Sequence, residues 1–187
     1  MTAGILRHAD PERDGAACAA LYAPAVEGGA TSFEEPPAPD AAAMSARIAD
    51  VSRTHPWLVI EDGGRVVAYA CGSPHRARGA YRWAADVAIY IDAGHRRRGA
   101  GRRIYLALFE LMRRQGLWVA CAGIALPNEA SVGLHEAVGF EPVGIYRNIG
   151  WKAGAWRDVG WWELALAPPS GAARPPDPGP PVRLPGA

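Results

Sequence analysis

The run His95-Arg96-Arg97-Arg98-Gly99-Ala100-Gly101-Arg102-Arg103 is the part of this 187-residue chain whose residue types most plainly do chemistry. It follows an apolar, strand-like stretch and opens a helical pattern. Its glycines let successive backbone N–H groups converge at the positive end of that helix, and the arginines surround the point with charge, an arrangement suited to a phosphate or pyrophosphate. There is no Gly-Lys-Ser/Thr as in a Walker loop, and the third glycine of a dinucleotide fingerprint is missing. No aromatic stacking series or recognition-helix pattern accompanies the arginines, so nucleic acid is not indicated. The plain alternative is a basic turn capping an ordinary helix.

Asn128, Ser131 and His135 stand at i, i+3 and i+7, on one face of a short helix. Together they can face a ligand; the simpler reading makes Asn128 a helix cap. Asp86 lies on the polar parity of a strand with Arg82 and Tyr90, while Tyr81, Trp83, Val87, Ile89 and Ile91 share the apolar parity. Cys18, Cys71 and Cys121 are odd in number and far apart, which fits buried small hydrophobes better than disulfides or paired zinc ligands. The sequence offers no metal-ligand set and no catalytic triad.

The elements that must position these residues follow from periodicity and punctuation. A strand at 5–7 precedes Asp10-Pro11-Glu12, an N-cap with proline at the first helical position, and a helix to about Val26. Asp40 caps a second helix that ends before His55-Pro56. Residues 57–60 and 65–71 form a hairpin about Glu61-Asp62-Gly63-Gly64. A loop at 74–79 leads to a strand at 80–91, then to the glycine–arginine turn and a helix stopped at Gln115-Gly116. A strand at 117–125, a helix at 127–138 and a strand pair at 140–151 and 157–167 complete a domain over 1–167. Residues 168–187 carry eight prolines and little that packs, and are expected to be a disordered tail.

The composition agrees with one globular domain: 49% hydrophobic, 21% charged, and 20 Lys+Arg against 19 Asp+Glu for a net charge of +1. Lys152 is the sole lysine. The most apolar stretch, 117–126, is about half the roughly 18 to 20 residues a membrane span needs, and the N-terminus has no secretion-type apolar segment. A cytoplasmic protein without membrane or nucleic-acid partners is expected.

Arg96-Arg97-Arg98-Gly99-Ala100-Gly101 resembles the R/Q-x-x-G-x-G/A motif of the GNAT N-acyltransferase superfamily. Thr31 to Pro36, Pro56-Trp57-Leu58-Val59, Tyr81-Arg82-Trp83, Ile89-Tyr90-Ile91, Leu126-Pro127-Asn128, Ser131, Leu134-His135-Glu136-Ala137-Val138-Gly139-Phe140, Gly150-Trp151-Lys152, Trp156 and Asp158-Val159-Gly160 are similar, in the same order, to its phosphinothricin N-acetyltransferase branch. The resemblance covers about residues 5–166. It implies an α/β (α+β) fold: a mixed, mostly antiparallel sheet of about seven strands, splayed between strands four and five, with helices on both faces. Acetyl-CoA would lie in that gap as cosubstrate, without a metal. Ile89, Tyr90 and Ile91 would meet the pantetheine arm, and Arg96, Arg98, Gly99, Ala100, Gly101 and Arg102 the pyrophosphate, with Asn128 and Ser131 also facing the cofactor.

Asp86 stands where the branch has a glutamate regarded as general base. The missing methylene draws the carboxylate back by ~1.5 Å, which suggests that Asp86 attracts the ammonium and accepts its proton through water; the alternative makes His135 the relay or a group that orients the carboxylate. Phe33 would be a lid aromatic, and Arg76, Arg78 and Tyr81 would flank a small acceptor. The four tryptophans Trp151, Trp156, Trp161 and Trp162 suit core cover or a subunit contact, dimers being usual in this branch. The expected activity is acetylation of a small amino-acid-like amine such as phosphinothricin or methionine sulfoximine. Acetylation of arsenic-containing amino-acid analogues or of a peptide N-terminus, and non-catalytic acyl-CoA sensing, are the alternatives.

Overall fold

In the computed structural model, which describes residues 4–167 and 174–185, seven strands form one sheet in the order β1-β2-β3-β4-β5-β7-β6. These are β1 (Ile5–His8), β2 (Trp57–Asp62), β3 (Arg65–Pro74), β4 (Ala84–Ile91), β5 (Val119–Leu126), β6 (Glu141–Lys152) and β7 (Ala155–Ala165). The helices are α1 (Pro11–Glu27), α2 (Ala41–Val51), α3 (Ala100–Gln115) and α4 (Glu129–Ala137). All neighbouring strands are antiparallel except β4 and β5, so a mixed, mostly antiparallel sheet is what the chain builds. None of the described helices is long and apolar enough to cross a membrane.

Local chemistry sets the helix ends. The Asp10 carboxylate accepts from the N–H groups of Glu12 and Arg13, with proline at the helix start, and Asp40 accepts from Ala43 N–H. Gly116, at φ 95°, closes α3 by donating to the Arg113 and Met112 carbonyls.

Two cores lie on opposite faces of the sheet. On one, Ile104, Tyr105, Leu108, Phe109, Leu111 and Met112 of α3 pack on Leu58, Val67, Ala85, Val87, Ala120 and Ala122, joined by Phe140 and Trp162. On the other, Cys18, Tyr22 and Val26 of α1 and Met44 and Ile48 of α2 cover Trp57, Val59, Tyr69 and Cys71. Cys18 and Cys71 are core residues, and burial pushes both thiols up to about 12.

Three expectations change. The strand expected at 80–91 begins at Ala84; Gly79–Tyr81 is a 3-10 turn, so Tyr81 and Arg82 belong to the loop before it. The parity of β4 holds, but its second face is not solvent-polar: Tyr90 stacks in a ladder with Tyr22 and Tyr69, and Tyr69 with Trp57 (centroids 4.8 to 5.2 Å). Only Asp86, at the other end of that face, is left with polar company. Finally, residues 174–185 of the expected disordered tail lie along the domain. Val182 and Leu184 pack against the larger core, the Trp83 indole donates to Pro176 O (2.8 Å), and Gly179 N–H donates to Gln115 O (2.8 Å). Proline-rich composition removes backbone donors but leaves these apolar and carbonyl groups free to dock. Residues 168–173 and 186–187 lie outside the described residues.

Candidate active site

β4 and β5 pair in parallel over three rungs, Ala84–Val119, Ala85–Ala120 and Asp86–Cys121. Beyond Asp86 the ladder stops, although β4 runs on to Ile91 and β5 to Leu126. Main-chain groups of 87–91 and 122–126 that face each other therefore have no strand partner, and the sheet offers an extended segment a place to hydrogen-bond. Ile89 and Ile91 send their side chains toward the α3 core and Tyr90 to the opposite face, so only their backbone borders this opening.

The opening leads to the glycine–arginine turn. Asp92 accepts from Gly94 N–H and His95 Nδ1, shaping Ala93–His95 into a 3-10 turn. Arg97 (φ 57°) and Gly99 (φ 83°) then adopt left-handed conformations, which bend the chain so that α3 starts at Ala100 with no side-chain cap. Gly99 is the residue that makes this bend cheap, since a Cβ disfavours that region. The first-turn N–H groups of α3 have no intrahelical acceptor, as at any helix start, and a helix start of this kind suits an anion. Arg98 and Arg102 are exposed beside it. Arg96 differs from expectation: its Nε turns back to the Ile91 carbonyl (3.2 Å) and ties the turn to β4. Gly101 is buried against Leu134 and Ile91, letting α3 sit close to α4 and β4.

Asp86 stands at the last rung of the ladder. Its Oδ1 lies 2.6 Å from Nδ1 of His75, a loop residue the sequence did not single out. Burial raises the Asp86 carboxyl above its ordinary value, and the His75 contact and Arg76 oppose that rise. The His75 ring meets Tyr81 and Trp161 edge-on, each at 5.7 Å, and the Arg76 guanidinium lies over Trp161 at 5.5 Å. Trp161 reaches this place because Gly123, its ladder partner on β5, has no side chain: a Cβ there would sit 3.2 Å from the indole. Arg76, Tyr81, Asp86 and His75 are thus brought together, and Arg78 flanks them as the exposed residue opening the 3-10 turn. Cys121 completes a set of nitrogen, oxygen and sulfur atoms within 4.8 Å, in which His75 and Asp86 are hydrogen-bonded to each other.

Phe33 lies across Gly150 of β6, where a Cβ would come within 2.3 Å of its ring. Its loop is anchored below: Lys152 Nζ donates to Val26 O (2.9 Å) and Glu34 O (2.6 Å), and Glu34 is held by Arg47 and the Tyr22 hydroxyl. The sole lysine is therefore a buried tether for the expected lid, which only its rarity could have flagged.

At α4 one expectation fails, and Asn128 takes the simpler of its two readings. The Asn128 side-chain oxygen accepts from Ser131 N–H (3.1 Å) and caps the helix. His135, expected beside Asp86, is 3% exposed behind α3, with Nε2 2.9 Å from the Tyr105 hydroxyl and Nδ1 donating to Ser131 O (2.8 Å). Both nitrogens are satisfied and the ring packs against Phe140. Helical spacing placed these residues on one face but could not say that the face meets Tyr105. Burial lowers the His135 pKa, the Ser131 contact opposing it in part. Its stabilisation is therefore present above the ordinary imidazole value and declines as pH falls through it. His135→Ala is expected to cost about 2 to 4 kcal/mol at neutral pH, through a cavity and an orphaned tyrosine hydroxyl, as measured by urea unfolding.

A separate cleft of about 720 Å³ is lined by Leu126, Pro127, Asn128, Val132, Trp156 and Asp158 among others, and includes neither Asp86 nor the glycine turn.

A sheet opening between its parallel strands onto an uncapped helix start is the frame of an acyl-CoA-dependent transferase. Residues 25–140 match the acetyltransferase (GNAT) family, and the chain belongs to that family. It is 42% identical over 109 residues to the phosphinothricin N-acetyltransferase of Streptomyces viridochromogenes, a match covering 58% of this chain and 60% of that enzyme. It is 33% identical over 150 residues to the L-methionine sulfoximine/L-methionine sulfone acetyltransferase of Pseudomonas paraeruginosa, covering 80% and 87%. Among solved structures, the phosphinothricin acetyltransferase of Sinorhizobium meliloti in complex with acetyl-CoA superposes with a TM-score of 0.85 at 29% identity, over 94% of both chains.

Proposed function

We propose that the chain transfers the acetyl group of acetyl-CoA to the primary amine of a small amino-acid-like acceptor of the phosphinothricin or methionine sulfoximine kind. The observation that carries this is the opening between β4 and β5, which runs from the uncapped start of α3 to Asp86 at the final rung. The relatives' acceptors and the acetyl-CoA complex of a similar structure support it. On this reading the first-turn amides of α3, with Gly99, Ala100, Gly101 and the side chains of Arg98 and Arg102, hold the pyrophosphate. The backbone of Ile89, Tyr90 and Ile91 pairs with the pantetheine arm as an added strand would.

The thioester brings its own activation. The protein's share is to orient the amine, hold it unprotonated and keep the acyl carbonyl within reach, which is catalysis by positioning and acid–base chemistry. Asp86 draws the ammonium in. Arg76 and Arg78 offer guanidinium forks to an acceptor carboxylate or oxyanion, with Tyr81 and Phe33 as walls. The setting is the cytoplasm, where acetyl-CoA is available.

The same reading includes a homodimer. Val143, Ile145, Tyr146, Ile149, Trp151 and Trp156 on the β6–β7 hairpin are 48 to 61% exposed, a concentration of exposed apolar side chains that suits a subunit contact. Trp162 is core and Trp161 lines the Asp86 site, so the subunit-contact reading rests on the other two tryptophans. Sedimentation of the purified chain across concentration measures this directly.

A thiol-release assay with acetyl-CoA and a panel of amino acids, phosphinothricin, methionine sulfoximine and a short peptide tests the activity. Release with the two small analogues is expected. Release with the peptide alone would move the reading to N-terminal acetylation, and coenzyme A binding without release to any amine would make the chain a sensor.

A further inference from the structure

We propose that His75, held by Asp86, takes the proton from the acceptor's ammonium, so that the base is a carboxylate–imidazole pair and not a lone carboxylate. The proposal deepens the N-acetyl transfer reading and rests on it.

The geometry is specific. A carboxylate can only accept, so at 2.6 Å from Asp86 Oδ1 the His75 Nδ1 carries a proton, and in the neutral imidazole Nε2 then keeps its lone pair. Nε2 has no hydrogen-bond partner among the described residues. The ring cannot swing away easily: Tyr81 and Trp161 meet it edge-on, and its side chain is only 15% exposed. The pair also answers the short reach of aspartate. An imidazole placed on the carboxylate carries its second nitrogen one ring-width beyond the Oδ1 contact. In water an imidazole is also a stronger base than a carboxylate by roughly 2 to 3 pKa units, a better match to an amine.

The groups facing His75 are Asp86 from β4, Cys121 from β5, Tyr81 from the 3-10 turn, Trp161 from β7 and Arg76 from its own loop. Cys121 does not compete for the proton, since burial pushes its thiol up to about 11 and keeps it neutral. In the step itself, one ammonium proton passes to Nε2 and the freed nitrogen pair attacks the thioester carbon. The C–N bond forms, the C–S bond breaks with its pair going to sulfur, and His75 Nε2 hands the first proton to that sulfur. The neutral ring then takes the second amine proton and releases it to solvent.

The test is His75→Gln and His75→Ala in the full chain, with kcat/KM measured across pH using acetyl-CoA and the best acceptor. His75→Gln keeps a donor toward Asp86 but no base. It should lower kcat/KM by about 10²-fold or more and move the acid limb of the profile down by about one pH unit or more, with coenzyme A binding heat retained. Imidazole in the buffer should restore part of the activity of His75→Ala. Activity of His75→Gln within threefold of wild type with the limb in place overturns the proposal. A loss with an unmoved limb and no imidazole rescue overturns it as well, making His75 a packing residue. Failure of the wild-type chain to release thiol with any amine while still binding coenzyme A would remove the transfer reading beneath it.

Discussion

Asp86→Asn is expected to lower kcat/KM by about 10²- to 10⁴-fold while leaving coenzyme A affinity within a few-fold of wild type. An amide removes the charge that attracts the ammonium. It can also donate to His75 Nδ1 and so stabilise the tautomer with the proton on Nε2, where the site needs a lone pair. The pyrophosphate site proposed above lies at the α3 start and Gly99 and does not include the Asp86 side chain, which is why binding heat is expected to survive. Stability moves the other way from activity. Burial raises the Asp86 carboxyl more than His75 and Arg76 lower it, so a folded-state pKa above the unfolded one makes ionisation a cost that sets in as pH rises through that window. At neutral pH the thermal midpoint of Asp86→Asn should therefore equal or exceed that of wild type, which separates lost chemistry from lost folding. The double variant Asp86→Asn/His75→Gln should be about as slow as the slower single variant, because two groups acting as one unit are not additive. Multiplied losses would mean that they act independently.

The frame around that site was legible because its signals are local. Asp10, Asp40 and Gly116 mark helix ends through bonds spanning two to four residues, and the glycine–arginine turn shows its bend in its own glycines. What escaped depends on contacts between distant elements. Alternation along β4 separates Asp86 and Tyr90 from Ile89 and Ile91, but only the docking of α1 packs Tyr90 against the core. His75 acquires a role because the β3–β4 register brings the end of β3 beside Asp86, and nothing in a loop histidine announces that. His135 shows the converse error: the right helix face, with Tyr105 rather than a ligand opposite it. Residues 174–185 look unpackable by composition, yet Val182 and Leu184 need only a short apolar strip already present on the domain.

The largest stability effect is expected at the other end of the sheet, where Arg7 joins β1, α1 and β2. Its guanidinium grips both Asp14 oxygens (2.6 and 2.8 Å) and Glu61 Oε2 (2.9 and 3.0 Å), and Asp14 is 1% exposed. Burial alone would raise the Asp14 carboxyl; the Arg7 bonds and the Asp10 N–H outweigh it and hold the group below its ordinary value. Arg7→Met keeps the aliphatic stem and removes the charge, leaving a buried carboxylate with one backbone donor, and should cost about 3 to 5 kcal/mol at neutral pH. The pH dependence has a definite sign. In wild type the depressed pKa makes the pair stabilising above the unfolded carboxyl value, and that contribution is lost as pH falls through the folded one. In Arg7→Met burial is no longer outweighed, so Asp14 takes up its proton at higher pH than in wild type and the penalty is relieved first. The stability gap between the two proteins, followed by urea unfolding, should be widest near neutrality and shrink as pH drops below the ordinary aspartate range. A gap that stays constant across that range would show that Arg7 contributes packing and not charge.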